Sequence, residues 1–285
     1  MAGPALRRET FALPSADGYP LRGDVCCAET TAAGAPAVIV CHGYKGFKDW
    51  GFFPEVASEL ARTGWIAVTF NFAGSGIGPD LLNFTDPERF EQATLSGDLD
   101  DLARMIDAVL GGVLPGPRAA SRLGLIGHSR GGAVALLAAA SDPRVACLAT
   151  WAAVAHFERW DEATCRTWRE RGALEVLNAR TGQIFRVTTA VLDDIEAHRA
   201  GRLDLTRAAG ALAVPYLIVH GDADESVSIA EGRLLAAWGR GELCVIPGAG
   251  HTFGAVHPFG GRTPHLDQAL AATLEFLRRH LPPPG

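Results

Sequence analysis

The stretch LIGHSRGGAVALLAAA, residues 125–140, decides the fold because its pattern changes at a serine. Its start continues the apolar run RLGLIGH (122–128), which is typical of a strand buried on both faces. Its end is an alanine-rich run that favours a helix. Ser129 stands at the junction, where its hydroxyl gains nothing from packing. The stretch therefore predicts a sharp strand-to-helix turn that exposes Ser129.

Apolar runs of the same kind recur along the chain, and helical patterns separate them. The predicted strands lie in AVIVCHG (37–43), WIAVTFNF (65–72), ACLATWAAV (146–154), PYLIVHG (215–221) and ELCVIPG (242–248). The predicted helices include PEVASELART (54–63), SGDLDDLARMIDAVL (96–110) and LDQALAATLEFLRRHL (266–281). Before them, FALPSADGYPLRGDVCCAE (11–29) predicts a hairpin that turns at Asp17-Gly18. This alternation predicts an α/β fold with a mostly parallel, twisted sheet and helices on both faces.

Residues 155–213 interrupt the alternation of strands and helices. They show only helical patterns, such as FERWDEATCRTWRERGALEVL (157–177) and TTAVLDDIEAHRA (188–200). A segment of this length is too long for a simple connection between two strands. We therefore predict a helical lid, residues 155–213, inserted into a core formed by residues 1–154 and 214–285. In parallel sheets ligands bind beyond the carboxyl ends of the strands, so the lid is expected to cover that edge.

Composition and charge exclude several classes of function. The chain has 285 residues, 48% of them hydrophobic, and a formal net charge of -6, which gives no attraction to nucleic acid or anionic lipid. The start, MAGPALRRETFALPSADG, lacks the apolar stretch of a signal peptide, and the six cysteines lack zinc-ligand spacing. We therefore predict a cytoplasmic protein without metal or cofactor that binds neither nucleic acid nor membrane. A homodimer is left open.

The pattern G-x-S-x-G occurs at the predicted turn, as Gly127-His128-Ser129-Arg130-Gly131. Small neighbours suit a strained backbone that lifts the serine hydroxyl above the edge of the sheet. The start of the following helix also brings backbone N–H groups near that hydroxyl. A serine hydroxyl is a weak nucleophile at neutral pH and needs a histidine base that a carboxylate holds in place. The pattern therefore predicts Ser129 as a nucleophile with both partners further along the chain.

A carboxylate is available where the predicted strand 215–221 ends. The sequence that follows is HGDADESV (220–227), which holds three acidic residues, Asp222, Asp224 and Glu225. Their spacing alone does not choose among them, so all three are candidates for the acid.

A histidine follows the next predicted strand, in the chain order that this type of site requires. His251 ends GAGH (248–251), and the glycines around it allow its loop to reach Ser129. His257 and His265 are alternatives, but each lies farther past the strand and beside a proline. We therefore predict His251 as the base. The other histidines at strand ends are expected to form local hydrogen bonds: His42, His128 and His220.

The turn after the first parallel strand, His42-Gly43-Tyr44-Lys45-Gly46, can supply an oxyanion hole. Gly43 lets the backbone approach the serine, so that the N–H of Tyr44 joins the N–H of Arg130 beside a carbonyl oxygen. Losing one such donor typically removes about 2.7–4 kcal/mol of transition-state stabilisation. We predict the backbone amides of Tyr44 and Arg130 as the two donors.

These motifs together resemble the α/β-hydrolase superfamily over essentially the whole chain. The segments HG, FNFAGSG, GHSRGG, HGDADESV and GAGHTF occur in the family order. The chain is most similar to bacterial serine hydrolases grouped with dienelactone-hydrolase-like and acylaminoacyl-peptidase-like proteins. The resemblance implies Ser129 as nucleophile and His251 as base. It also implies Asp224 as the acid, because the family pattern HGxxD places the carboxylate four residues after His220.

The resemblance implies a serine hydrolase, and we expect a carboxylesterase that cleaves small to medium carboxylic esters through an acyl-enzyme. The same triad would also serve an amidase or peptidase, a thioesterase, or a cofactor-free perhydrolase or haloperoxidase. Related dienelactone hydrolases use a cysteine nucleophile, from which Ser129 departs. A non-catalytic module with this fold would not need all three groups of the triad.

Aromatic residues near the predicted site favour an apolar pocket for the acyl or alcohol group. Phe52 and Phe53 follow the oxyanion turn, and the predicted lid contributes Phe157, Trp160 and Trp168. Trp160 and Trp168 share one face of a predicted helix, so packing of the lid onto the core is their alternative role.

Overall fold

The computed structural model describes residues 3–119, 122–178 and 182–283. Its strands are β1 (Leu6–Pro14), β2 (Pro20–Ala28), β3 (Ala37–Cys41), β4 (Ile66–Phe70), β5 (Leu123–His128), β6 (Val145–Trp151), β7 (Ala173–Leu177), β8 (Ile184–Thr188), β9 (Tyr216–Gly221) and β10 (Glu242–Ile246). Its helices are α1 (Phe53–Arg62), α2 (Pro87–Glu91), α3 (Leu95–Gly111), α4 (Arg130–Ser141), α5 (Glu162–Arg171), α6 (Ala190–His198), α7 (Leu205–Ala211), α8 (Ile229–Gly239) and α9 (Pro264–His280). None of these described helices is long and apolar enough to cross a bilayer.

Eight of the described strands form one sheet, in the order β1-β2-β4-β3-β5-β6-β9-β10. β1 and β2 form an antiparallel hairpin, and β2 pairs antiparallel with β4. From β4 across to β10 all neighbouring strands are parallel. The mostly parallel sheet and the N-terminal hairpin predicted from the sequence are thus confirmed.

Helices cover both faces of this sheet. Every residue of β3, β5, β6 and β9 is buried, which explains why the strands appear in the sequence as continuous apolar runs. On one face Leu60 of α1 and Leu270 of α9 pack in the same apolar cluster. On the other face Ile106 of α3 and Leu136 of α4 belong to a second cluster. The predicted two-sided packing is confirmed.

The segment between β6 and β9 contains α5, β7, β8, α6 and α7. β7 and β8 form a separate two-stranded antiparallel sheet, so the prediction of an entirely helical segment is wrong for Ala173–Leu177 and for Ile184–Thr188. Gly172 ends α5 in the left-handed conformation, with φ +74°, and the helix does not continue past it. In β8, Phe185 and Val187 are buried while the residues between and before them are exposed, which is the alternation of a half-covered strand. The boundaries 155–213 of the lid stay a prediction.

Parallel pairing places the carboxyl ends of β3, β5, β9 and β10 along one edge of the sheet. The loops that follow these strands carry Tyr44, Ser129, Asp224 and His251. The fold therefore gathers residues that are more than two hundred positions apart in sequence.

Candidate active site

Ser129 lies between β5 and α4 in a backbone conformation that residues with a side chain rarely adopt. Its φ is +55° and its ψ is -123°, so neighbouring contacts must offset the strain. The N–H of Ser129 donates to the carbonyl of Trp151 at 2.8 Å. A Cβ on Gly131 would lie 2.2 Å from the carbonyl oxygen of His42, so only glycine fits at that position. Close packing against two other strand ends thus fixes the turn.

Asp224 lies in the loop after β9, where backbone hydrogen bonds hold its carboxylate. Its Oδ1 accepts the N–H of Ser226 at 2.8 Å and the N–H of Val227 at 2.9 Å. Burial by itself raises the pKa of Asp224, but hydrogen bonds from His220 and His251 outweigh it. The pKa of this carboxyl is therefore held well below its ordinary value, and the group is ionised at neutral pH.

His251 lies in the loop after β10, beside Asp224. Its Nδ1 is 2.8 Å from Oδ2 of Asp224, and an ionised carboxylate can only accept, so Nδ1 carries the hydrogen. In the neutral imidazole Nε2 is then the atom that can take up a proton. His251 and Ser129 line the same cavity. The arrangement pairs Nδ1 of the predicted base with the predicted acid. Nε2, the nitrogen that can take up a proton, does not contact that acid.

The other candidates that the sequence left open lie elsewhere. Oδ1 of Asp222 accepts a backbone N–H from the loop after β10 at 2.6 Å. Nδ1 of His257 accepts a backbone N–H at 3.1 Å. Glu225 is exposed, and His265 lies in the first turn of α9. Of the candidates, the structure brings together Asp224 and His251.

Two buried histidines support the loops of the site without carrying charge. Nε2 of His42 accepts the N–H of Phe72 at 3.2 Å, so its Nδ1–H donates to the carbonyl of Gly43 at 2.9 Å. Nε2 of His128 donates to the carbonyl of His251 at 2.9 Å. Burial lowers the pKa of His42 to about 4 and the pKa of His128 to about 3. Both rings are therefore neutral at pH 7 and act as fixed hydrogen-bonding groups.

The loop after β3 brings a backbone amide close to Ser129. The carbonyl of Gly43 accepts a hydrogen bond from the ring of His42, and the N–H of Tyr44 points to the opposite side of the same planar peptide. A Cβ on Gly43 would lie 2.9 Å from Cβ of Ser129, so glycine permits this close approach. The N–H of Arg130 lies in the first turn of α4, where amides have no carbonyl partner within the helix. Tyr44 and Arg130 both line the cavity that contains Ser129.

This cavity has a volume of about 330 Å³ and a mostly apolar wall. One part of the wall comes from the core and includes Phe90 of α2 and Leu95, the first residue of α3. The other part comes from the segment between β6 and β9. That segment contributes Phe157, Trp160, Val187, Val191 and Ile195. The site can therefore enclose an apolar group next to Ser129.

Two of the five aromatic residues predicted for the pocket, Phe157 and Trp160, line the cavity. Phe52, Phe53 and Trp168 are not among the described residues of its wall, and these three predictions are wrong. Phe52 and Phe53 are buried in the core beneath the sheet, where the ring of Phe52 lies 5.4 Å from that of His128. Trp168 is buried inside the inserted segment, and its indole N–H donates to the carbonyl of Val187 at 2.8 Å. Packing, the alternative role for Trp168, is the one observed.

Sequence reasoning missed the aliphatic part of the wall. Val191 and Ile195 lie one helical turn apart in TTAVLDDIEAHRA and so share a face of α6. That spacing was a detectable signal of a covered face. The placement of α6 decides whether this face packs against the core or lines a cavity. The spacing of the residues does not indicate that placement.

Glu231 and Asp194 are two of the carboxylates that fasten the inserted segment to the core. Glu231 of α8 accepts the N–H of Ala155 at 2.8 Å and pairs with the guanidinium of Arg159 at 3.0 Å. Asp194 of α6 accepts the first two N–H groups of α3, both at 2.9 Å. The segment is thus held where the chain leaves β6 and again through α6.

Comparisons with known proteins agree with this architecture. The sequence profile of the alpha/beta hydrolase family matches residues 38–261. The 2,6-dihydropseudooxynicotine hydrolase of Paenarthrobacter nicotinovorans is 25% identical over 200 residues, which cover 67% of this chain and 44% of that protein. The match therefore spans less than half of that relative.

Solved structures share the fold at low sequence identity. Est1E from Butyrivibrio proteoclasticus is 19% identical with a TM-score of 0.68 and covers 95% of this chain and 98% of its own. Est1E has also been solved with ferulic acid bound, at 20% identity and a TM-score of 0.70, covering 95% of this chain and 99% of its own. The acylaminoacyl peptidase of Pyrococcus horikoshii is 17% identical with a TM-score of 0.68, covering 99% of this chain and 42% of its own.

Proposed function

Since this chain belongs to the alpha/beta hydrolase family, we propose that it is a serine hydrolase that cleaves small to medium carboxylic esters through an acyl-enzyme. The observation that carries the proposal is the contact of 2.8 Å between Nδ1 of His251 and Asp224. This contact orients the imidazole so that Nε2 is the basic atom in a cavity that also contains Ser129.

In the first half-reaction Nε2 of His251 takes the proton from the hydroxyl of Ser129 as the oxygen attacks the ester carbonyl. Asp224 stays ionised and stabilises the imidazolium that forms. The protonated ring then donates its proton to the leaving alcohol, and the acyl group remains on Ser129. In the second half-reaction Nε2 takes a proton from a water molecule, whose oxygen attacks the acyl carbon. The bond between that carbon and Oγ of Ser129 then breaks, the ring returns the proton to Oγ, and the carboxylic acid leaves.

In this proposal the backbone amides of Tyr44 and Arg130 stabilise the negative charge that develops on the carbonyl oxygen. The hydrogen bond from His42 to the carbonyl of Gly43 holds the preceding peptide in one orientation, so its amide needs no rearrangement when the charge develops. The N–H of Arg130 is well placed to donate to this oxygen, because it lies at the start of α4, where the helix dipole favours negative charge.

The dimensions of the cavity support an ester of limited size. Its volume of about 330 Å³ is near the lower end of the range of roughly 300–1,000 Å³ that ligand pockets span. Est1E, which has the same fold, binds ferulic acid in a solved structure. A carboxylic acid is the type of product that ester hydrolysis releases.

The proposal is tested with p-nitrophenyl esters of graded acyl length beside matched anilides and thioesters. We expect wild type to hydrolyse the shorter esters and Ser129→Ala to lose this turnover. Ser141→Ala is the matched control, because Ser141 lies at the far end of α4 and its hydroxyl bonds to backbone carbonyls there. Preferred turnover of anilides or thioesters would replace the ester assignment with an amidase or thioesterase.

Labelling with a fluorophosphonate separates an enzyme from a binding module with the same fold. Wild type and Ser141→Ala should take up the label, while Ser129→Ala should not. Equal labelling of Ser129→Ala and wild type, with equal ester turnover, would remove Ser129 from the mechanism.

A further inference from the structure

Lysine is scarce in this chain, and both lysines lie in the loop after β3. Of the 26 residues that are lysine or arginine, only Lys45 and Lys48 are lysines. Lys48 is buried, and its Nζ pairs with Asp24 at 2.7 Å and with Asp49 at 2.6 Å. Lys45 is exposed and lines the cavity beside Ser129. The two lysines therefore differ in their surroundings, and only Lys48 has an evident structural role.

Lys45 keeps its positive charge uncompensated at the rim of the cavity. Within the described part of the chain, no carboxylate lies within ion-pair distance of its Nζ. Its Nζ donates to the carbonyl of Leu177 at 3.5 Å, which is a long contact, and lies 5.7 Å from the centre of the ring of Tyr44. Neither contact neutralises the ammonium group.

The backbone of Lys45 adds a second observation. Its φ is +57°, a left-handed conformation that glycine adopts without strain and a side chain destabilises by about 1–2 kcal/mol. A lysine at such a position does not improve the folding of the loop. A side chain that strains its backbone and faces a ligand cavity is typical of a functional contact.

The other charges in the wall of the cavity are balanced. The guanidinium of Arg130 pairs with Asp98, and that of Arg159 pairs with Glu231. No aspartate or glutamate is among the described residues of the wall. The cavity therefore presents an apolar surface with one unbalanced positive charge at its rim.

We propose that the physiological substrates are anionic esters, in which an apolar chain or ring separates the scissile ester from a carboxylate that Lys45 binds. The inference rests on the proposed function, because it concerns the substrate of the same site. The apolar wall takes the central part of such a molecule, while the carboxylate stays at the rim, where pairing with a hydrated ammonium does not require full desolvation. The flexible stem of a lysine suits carboxylates at several distances from the ester.

Binding is measured first, because it does not depend on turnover. Calorimetric titration of Ser129→Ala compares monomethyl suberate, which is anionic, with dimethyl suberate, which is neutral and of the same length. We expect the anion to bind about fivefold more tightly, in keeping with an exposed ion pair. The double variant Ser129→Ala, Lys45→Met should lose this difference. Equal binding of the two esters to Ser129→Ala would overturn the inference.

Turnover then uses mono-p-nitrophenyl esters of adipic, suberic and sebacic acids beside the same esters with the far carboxylate capped by methyl. We expect a higher kcat/KM for the anionic member of at least one pair, by about fivefold at low ionic strength and less at high salt. Lys45→Met should abolish the preference, and Lys45→Arg should keep most of it.

Arg233→Met is the control, since Arg233 is exposed on α8 outside the described wall and its loss changes the net charge equally. If Ser129-dependent hydrolysis occurs without any preference for the anion, the inference fails and the proposed function stands. If neither ester is hydrolysed but the calorimetric difference depends on Lys45, the proposed function fails and the anion site stands.

Discussion

The carboxylate of Asp224 illustrates how surroundings assign a role to one of several similar side chains. Asp222 and Asp224 both follow β9, and each accepts backbone N–H groups. Only Asp224 has a second oxygen within 2.8 Å of an imidazole nitrogen. The charge on Asp224 is thus shared between holding its own loop and orienting His251.

Replacing Asp224 by asparagine removes the negative charge of the side chain and keeps its shape. In Asp224→Asn the amide has no negative charge to stabilise the imidazolium, and it can hold the ring in the wrong tautomer. We expect kcat for a short p-nitrophenyl ester to fall by about 10⁴, the loss known for this change in a serine protease triad. Asp222→Asn keeps an oxygen acceptor for its backbone N–H and should retain nearly full activity. Similar losses in both variants would contradict the assignment.

The buried neutral histidines predict a loss of stability in acid. In the unfolded chain a histidine takes up a proton near pH 6.5, whereas the folded pKa values are about 4 for His42 and about 3 for His128. Between these values the unfolded state binds more protons, so the free energy of unfolding decreases as the pH falls. At pH 5 each histidine contributes a decrease of about 2 kcal/mol relative to pH 7.5.

Urea unfolding of wild type and His128→Gln at pH 7.5 and pH 5 checks this expectation. Glutamine can still donate to the carbonyl of His251 but takes up no proton. The variant should therefore lose about 2 kcal/mol less than wild type on acidification. Identical losses would mean that His128 is protonated in the folded protein at pH 5.

Single residues were predictable from the sequence where a motif constrains the backbone. Ser129 and His251 stand in such motifs, and Asp224 needed the family pattern because three carboxylates share one loop. The side chains of Phe52 and Trp168 were not predictable, since an aromatic ring fills a core as readily as it lines a cavity. Their direction is set by contacts with distant residues.

At the scale of elements, the junction of β5 and α4 depends on the absence of side chains. The carbonyl of His42 occupies the space that a Cβ on Gly131 would need. Because His42 directly follows β3 and begins the loop of Tyr44, a side chain at Gly131 would displace both the turn at Ser129 and this loop.

Two glycine substitutions test this junction. Gly131→Ala places a Cβ 2.2 Å from the carbonyl oxygen of His42 and should lower the free energy of unfolding by about 1–3 kcal/mol. Gly210→Ala on α7, where nothing lies within 4 Å of the added Cβ, should raise it by about 0.5–1 kcal/mol. Chemical denaturation measures both changes. Equal effects of the two substitutions would show that the close approach does not exist in solution.

The elements of the main sheet were predictable because continuous apolar runs and amphipathic helices leave clear periods in the sequence. The hairpin of β7 and β8 was not, because its first strand directly follows the helical pattern of α5. The alternation in Ile184–Thr188 covers five residues, which is too short to outweigh that neighbouring pattern. Gly172, the residue that ends α5, was the available signal.

At the scale of the whole molecule, the site depends on how the inserted segment is held over the sheet. Glu231 and Asp194 provide two of its fastenings to the core, and both act over long separations in sequence. That the motifs meet at one edge of the sheet could be expected, because each motif follows a strand of a parallel sheet. These fastenings could not, since nothing local to Glu231 indicates that Ala155 is its partner.

Weakening one fastening should loosen the segment. Glu231→Gln removes the ion pair with Arg159 and weakens the acceptor for the N–H of Ala155. We expect trypsin to cut within residues 155–213 before the core, and about tenfold faster in Glu231→Gln than in wild type. Glu196→Gln is the control, because its ion pair with Arg169 lies within the segment. Initial cleavage of the core in either protein would contradict a lid that moves separately.

The hydrogen bonding of β6 to β9 has a consequence for how such chains diversify. These strands are parallel neighbours, and the whole segment that covers the cavity is connected between them. Exchange of that segment for one from another member of the family leaves every strand-to-strand bond of the main sheet in place. We expect chimaeras that are joined after β6 and before β9 to retain the candidate catalytic residues and to acquire a different substrate range. Natural variation in substrate range can therefore arise by recombination at two points, without redesign of the scaffold.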